Sequence, residues 1–251
     1  MNFLPEQKEK LKKCADAALT LLYPHRCPLC DRVLAWEERS CPSCERQVVY
    51  EDEPRCMKCG RMLRQEAGHE RTDVYCPDCM AHSHRYDYGY CLASYRSVAH
   101  SLYRLKYGGR REYAVWYADQ MVRRFGREML AARPEVLVPV PLHPARRAKR
   151  GYNQAEDIAR ELSRKLGIPM RTDLIVRQRN TPPMKQTDGE QKRRNNLKNA
   201  FQLRVNDVKY KRIMIIDDIY TSGSTVDAIA EEFRRAGVRE IFFAAAAGTH
   251  R

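Results

Sequence analysis

Four cysteine pairs of the form Cys-x-x-Cys fall within residues 27–79: Cys27 and Cys30, Cys41 and Cys44, Cys56 and Cys59, and Cys76 and Cys79. Two residues between thiols let one turn of backbone aim both sulfurs at a single tetrahedral ion, and two such pairs complete a four-sulfur zinc site. Taken in order, Cys27 to Cys44 closes one site and Cys56 to Cys79 a second, as two tandem ribbons; pairing alternate pairs instead gives a cross-braced module. A lone pair of this spacing often does redox chemistry, and disulfides need an oxidising compartment. Four pairs so close together point to structural zinc, which would supply much of the folding free energy of a module this polar and short. Pro28, Pro42 and Pro77 follow the first cysteine of three pairs and Gly60 follows the second cysteine of the other, as tight knuckles require. Cys14 and Cys91 are left over and read as core thiols, with His69, His82 and His84 as the nearby residues able to substitute for a ligand.

A second set of reactive groups lies near the far end of the chain, in the segment Ile213-Met214-Ile215-Ile216-Asp217-Asp218-Ile219-Tyr220-Thr221-Ser222-Gly223-Ser224-Thr225. An apolar strand that ends in two carboxylates presents acceptors for a pair of vicinal hydroxyls, or oxygens for a metal. Thr221, Ser222, Gly223, Ser224 and Thr225 then offer backbone N–H groups and hydroxyls at the start of a helix, where free donors and the helix dipole favour a phosphate monoester. Together they describe a site for a ribose phosphate. The plainer reading is a strand-to-helix turn with Ser224 or Thr225 as an ordinary N-cap.

The elements that must position these groups follow from periodicity. Residues 97–107, 111–132, 154–166 and 225–236 carry apolar side chains at helical spacing, and 136–140, 174–176, 213–216 and 241–246 are short continuous apolar runs. This alternation predicts an α/β fold with a mostly parallel sheet covered on both faces and ligands at the carboxyl ends of its strands. With 251 residues there is room for one such domain and a smaller module. The expected division is an N-terminal helix over 1–23, a zinc-binding module over 24–86 and the α/β domain over 87–251.

Charge is distributed unevenly. The chain has 46 Lys and Arg against 32 Asp and Glu, a net +14, and residues 144–212 hold 19 basic and 7 acidic residues, an excess of 12. Such a field attracts phosphates, although a solvated basic surface has the same composition. The longest strongly apolar stretch, residues 241–247, is far short of the roughly 20 that a membrane-spanning helix needs, and the first residues are charged where a signal peptide is apolar. The expectation is a cytoplasmic protein that is not membrane-integral.

The 213–225 segment resembles the signature of type I phosphoribosyltransferases, whose ligand is phosphoribosyl pyrophosphate with magnesium. Two further segments are similar to the ComF (ComFC) competence proteins, which also carry an N-terminal Cys-x-x-Cys zinc module. They are Val138-Pro139-Val140-Pro141-Leu142-His143-Pro144 with Arg150-Gly151-Tyr152-Asn153-Gln154, and Arg193-x-x-Asn196 with Ala200-Phe201. The likeness runs from Cys27 to the end. One departure is that the family's Pro-Gln dipeptide is replaced here by Thr181-Pro182-Pro183-Met184-Lys185-Gln186.

By that resemblance Asp217 and Asp218 face the ribose hydroxyls and Thr221 to Thr225 cradle the 5-phosphate. The turn at Pro141, Leu142 and His143 faces the pyrophosphate, with Arg146, Arg147 and Arg150 as counter-charges; the alternative is prolines that merely stop a strand and arginines that are solvated. Asn153 and Gln154 either join the site or cap a helix. Arg146, Arg147, Lys149, Arg150, Arg193, Arg194, Arg104 and Lys106 are the candidate contacts for single-stranded DNA. Residues 102–111 mix aromatics and cations before a glycine turn, either to stack bases or as an amphipathic helix end. The resemblance implies a part in DNA uptake during competence, beside the helicase-like ComFA translocase and recombination mediator proteins. An active phosphoribosyltransferase is the alternative, with no hood for an acceptor base evident, and a ligand-sensing regulator is a third reading.

Overall fold

Four of the described segments form one parallel sheet in the computed structural model, which describes residues 24–35, 38–63, 74–179, 197, 199–204 and 208–250. The expected N-terminal helix, Cys14, His69, the 181–186 departure, Arg193, Arg194 and Asn196 lie outside the described residues. The chain divides into two units, Met1–Val48 and Val49–Arg251.

In the first unit the Cys27–Cys30 turn is closed by hydrogen bonds from Cys27 N to Arg32 O and from Asp31 N to Cys27 O, each 2.8 Å. A short helix, α1 (Pro42–Glu45), follows with Pro42 in its first turn, where a missing N–H costs nothing.

The second unit opens with the same construction. Cys56 N donates to Arg61 O at 2.8 Å, Gly60 N donates to Cys56 O at 2.9 Å, and α2 (Pro77–Ala81) is again led by proline. The residue after the second cysteine takes a left-handed conformation both times, Asp31 at φ 65° and Gly60 at φ 70°. The two ribbons are a structural repeat.

The rest of the second unit runs β1 (Tyr88–Ser94), α3 (Tyr95–Tyr107), α4 (Tyr113–Ala131), β2 (Val136–Pro139), α5 (Pro144–Arg150), α6 (Gln154–Leu166), β3 (Ile175–Arg177), β4 (Phe201–Leu203), β5 (Arg212–Tyr220), α7 (Ser224–Arg235) and β6 (Glu240–Gly248). The sheet order is β1-β6-β5-β2, all parallel. Its middle strands carry continuous apolar runs, with Ile213 to Ile216 and Phe243 to Ala247 buried, as a sheet covered on both faces demands. Helix α6 starts cleanly because the Asn153 side chain accepts from Ala155 N, and it stops at Gly167 in the left-handed region. It packs on α4 and against β2 and β5.

Two elements differ from the periodicity reading. Strand β1 was not anticipated, since Tyr-Gly-Tyr-Cys-Leu-Ala-Ser is not an aliphatic run, yet its five central residues are buried. The run at 174–176 is a strand shifted by one residue, and it lies outside the parallel sheet. It pairs antiparallel with Phe201–Leu203 in a separate ribbon, where only one face is covered, and antiparallel pairing tolerates that.

Candidate functional site

The cysteine pairs close in chain order. Cys27, Cys30, Cys41 and Cys44 form one cluster and Cys56, Cys59, Cys76 and Cys79 another, each with all four sulfurs within 4.8 Å of one another and no histidine among them. The tandem arrangement is therefore the one adopted, not the cross-braced one. The gaps between Cys30 and Cys41 and between Cys59 and Cys76 are both 3.7 Å. Zinc–sulfur bonds of about 2.3 Å in a tetrahedron place sulfurs about 3.8 Å apart, so both clusters fit a closed, structural zinc. Cys41 N and Cys76 N each point at a cluster sulfur, at 3.4 and 3.3 Å, an outer shell that orients the ligand thiolates. The leftover Cys91 is a core thiol. It donates to Cys59 O at 3.4 Å, and burial pushes its proton affinity well above the usual thiol range.

The two carboxylates emerge at the carboxyl end of β5, beside the Ala245–Ala247 stretch of β6. Both are buried. Asp217 Oδ1 accepts from Asp218 N at 2.8 Å. Asp218 Oδ1 receives Lys106 Nζ at 3.0 Å, and Asp218 Oδ2 accepts from Gln154 Nε2. Lys106 thus stands at the carboxylates, and Gln154 joins the site directly while Asn153 caps α6 and donates to Val140 O at 2.9 Å.

Burial, and after it the neighbouring Asp218 carboxylate, pushes Asp217 up to about 7, against the pull of the Asp218 N–H, Lys106 and Arg177. A carboxyl that stays protonated when folded stabilises the fold fully below its unfolded range and loses that contribution as pH rises from about 4 to about 7. The ligand-free protein should therefore lose unfolding free energy over that window with a slope of up to about 1.4 kcal/mol per pH unit. Asp217→Asn should remove this component. Denaturant unfolding at several pH values checks it, and identical profiles for the two proteins would overturn the assignment.

The turn after β5 has the form of an anion cradle. Gly223 stands at φ 77° before α7, no side chain caps the helix, and the first N–H groups of α7 are left without a side-chain acceptor. Ser222 and Ser224 are buried, with their Oγ atoms 2.7 Å apart, while Thr221 is exposed and Thr225 half-buried. The expected N-cap role of Ser224 or Thr225 is not taken up, because Gly223 occupies that position.

Beneath the cradle lies a contact network that periodicity does not reveal. His84 Nδ1 hydrogen bonds with Asp227 Oδ2 at 2.8 Å, and its ring stacks on Tyr86 at 4.8 Å. Tyr86 and Tyr220 join hydroxyls at 2.7 Å. Arg61 reaches Cys59 and Cys76 Sγ, each at 3.4 Å, donates to Asp78 at 2.8 Å and to Thr249 O, and lies over the Tyr220 ring. The second zinc ribbon and the turn after β5 are therefore parts of one packed region.

The other expected residues are spread around this edge. Pro141, Leu142 and His143 form the half-buried turn after β2, where His143 Nδ1 accepts from Ala145 N as the N-cap of α5. Helix α5 carries Arg146, Arg147, Lys149 and Arg150. Arg147 pairs with Glu156, and Arg150 donates to Gln154 Oε1. Arg104 is half-buried on α3. Arg177 went unnoticed in the sequence. It ends β3 over the Phe201 ring, close enough to Asp217 and Arg146 to feel both charges, with burial as the larger effect lowering its proton affinity.

Residues 18–80 match the double zinc ribbon domain family, and residues 148–251 match the phosphoribosyl transferase domain family. The chain is 42% identical over 110 residues to competence protein F of Haemophilus influenzae, an alignment that spans 43% of this chain and 48% of that protein. It is 30% identical over 229 residues to the DNA utilization protein YhgH of Salmonella typhi, covering 88% of this chain and 96% of that one. Competence protein ComFC of Bacillus subtilis is 27% identical over 190 residues, 70% of this chain and 75% of its own length.

Proposed function

Since the chain belongs to the ComF family of competence proteins, with a double zinc ribbon and a phosphoribosyltransferase domain, we propose that it binds phosphoribosyl pyrophosphate and single-stranded DNA during DNA uptake. The observation that carries the ligand half is the pair of buried carboxylates on β5 followed at once by an uncapped helix N-terminus at Gly223. In this reading Asp217 and Asp218 accept the ribose hydroxyls, and the N–H groups and hydroxyls of Thr221 to Thr225 hold the 5-phosphate. Pro141 to His143 turn toward the pyrophosphate, with Arg150 as its counter-charge. The carboxylate oxygens are the donor type that magnesium prefers, and magnesium arriving with the ligand would neutralise the pyrophosphate.

The DNA half is supported by the basic excess over residues 144–212 and by the names of the relatives. Arg147 and Lys149 are the exposed cations of α5. Among the described residues no helix is long and apolar enough to cross a membrane. A cytoplasmic place beside ComFA and recombination mediators, with the zinc ribbons as partner or DNA contacts, completes the proposal.

The test is binding of single strands by the zinc-loaded protein across a salt series, with and without magnesium phosphoribosyl pyrophosphate. Asp217→Asn with Asp218→Asn should weaken the ligand by about a hundredfold or more, since two carboxyl acceptors are replaced by amides that also donate. Arg147→Gln with Lys149→Gln should flatten the slope of log K against log salt by about 1.4, the value for two single-strand phosphates. An unchanged ligand affinity sinks the carboxylate assignment, and an unchanged slope sinks the α5 surface. Ligand consumption in the presence of a nucleobase, with no strand binding, would make the protein a transferase instead.

A further inference from the structure

The carboxyl-terminal turn of α3 presents two tyrosines four residues apart on one face. Tyr103 and Tyr107 are 64% and 62% exposed, and their ring centroids lie 5.2 Å apart at an interplanar angle of 49°. A single exposed aromatic is ordinary on a protein surface. Here the guanidinium of Arg150 lies over the Tyr107 ring, 4.8 Å from its centroid, so the pair is extended by a planar cation. The backbone beneath is fixed, because Tyr152 Oη donates to Leu105 O at 2.6 Å and Gly108 N donates to Arg104 O at 2.8 Å.

This platform is wired to the carboxylates. Arg150 donates to Gln154 Oε1, Gln154 donates to Asp218 Oδ2, and Lys106, which stands between the tyrosines in sequence, pairs with Asp218 Oδ1 at 3.0 Å. An open aromatic surface with a guanidinium at its side offers a π-face to any base, and stacking on such a face is tolerant of sequence. We propose that Tyr103, Tyr107 and Arg150 form a nucleobase-stacking site contiguous with Asp218. The occupant is an unstacked base, either of a free nucleotide or of a single strand that runs across α3 and α5. A ligand whose hydroxyls bind Asp218 competes with Gln154 for that carboxylate. It therefore acts on Arg150 and on the stack, and the two sites influence each other reciprocally. The strand form of this inference rests on the DNA reading above; the free-nucleotide form does not.

The experiment compares a labelled oligothymidylate with the same strand carrying abasic residues, which keeps the phosphates and deletes the bases. The wild type should prefer the intact strand by about tenfold or more, the effect of one or two stacked bases. Tyr103→Ala with Tyr107→Ala should erase that preference without altering the salt slope, whereas Tyr103→Phe with Tyr107→Phe should keep it. A preference that survives the alanine variant overturns the site. If the wild type binds no strand at all, the DNA reading fails, and titration with thymidine monophosphate followed on the tyrosine ring resonances decides. Shifts confined to Tyr103 and Tyr107 then retain the site for a free nucleotide, and their absence removes it.

Discussion

Cys59→Ser is expected to leave the protein with one zinc instead of two and to lower its main thermal transition by at least about 10 °C. Cys41→Ser should cost one zinc as well but shift that transition by only a few degrees. The two clusters have the same ligands and the same geometry, so the difference comes from what surrounds them. Cys56, Cys59 and Cys76 belong to the apolar core that contains Ile213, Ile215, Tyr220 and Phe243 of the sheet. Cys27 and Cys41 share a small core with Leu34, flanked by Leu29 and Cys44. A structural zinc supplies about 10–16 kcal/mol, comparable to the whole stability of a domain at about 5–15 kcal/mol. Even a loss of roughly 5 kcal/mol, at 2–4 °C per kcal/mol for a domain of this size, gives the expected shift. Metal analysis and calorimetry on both variants check it. Equal shifts would mean that the second ribbon is not integral to the sheet.

Arg61→Ala tests the same integration without touching a ligand. Its guanidinium is buried among two cluster sulfurs, Asp78, Thr249 O and the Tyr220 ring, so its removal leaves several acceptors without their donor. Both zinc ions should remain while the thermal transition falls.

Features with local signals were legible in the chain. Cys-x-x-Cys spacing fixes where two sulfurs go, and the descent from Ile216 through Asp217 and Asp218 to Gly223 contains a strand end, a turn and a helix start within a few residues. Features that depend on distant partners were not. Lys106 and Asp218 are far apart in sequence and become an ion pair only because the end of α3 reaches the carboxyl end of β5. Arg61 and His84 look like ordinary polar residues of a zinc module, yet they contact Thr249 and Asp227 near the other end of the chain. Strand β1 lacked the aliphatic run that marks β2, β5 and β6. Its place beside β6 depends on Gly89 leaving room for the Phe243 ring, a requirement no periodicity records. The turn at Gly223 was legible as a strand-to-helix turn with N–H groups to offer, but the walls around it were not.

Those walls make Gly223→Ala the substitution with the largest expected effect on ligand binding, about a hundredfold or more, with the fold retained. Gly223 stands at φ 77°, where a side chain alone costs roughly 1–2 kcal/mol. A Cβ there would also come within 2.8 Å of Tyr220 Oη, 2.9 Å of His84 Cε1 and 3.1 Å of His84 Nδ1. Neither neighbour can retreat easily, because Tyr220 is bonded to the Tyr86 hydroxyl and His84 is clamped between Asp227 and the Tyr86 ring. The backbone of the turn must therefore move, and with it the N–H groups of residues 221–225 that are to meet the phosphate. Gly237→Ala is the control, since Gly237 has φ 83° and no atom within 4 Å of a built Cβ, so it carries the strain without the collision. Calorimetric titration with magnesium phosphoribosyl pyrophosphate should find Gly237→Ala close to the wild type in affinity and Gly223→Ala nearly inert. If the two variants bind alike, the turn after β5 does not hold the phosphate.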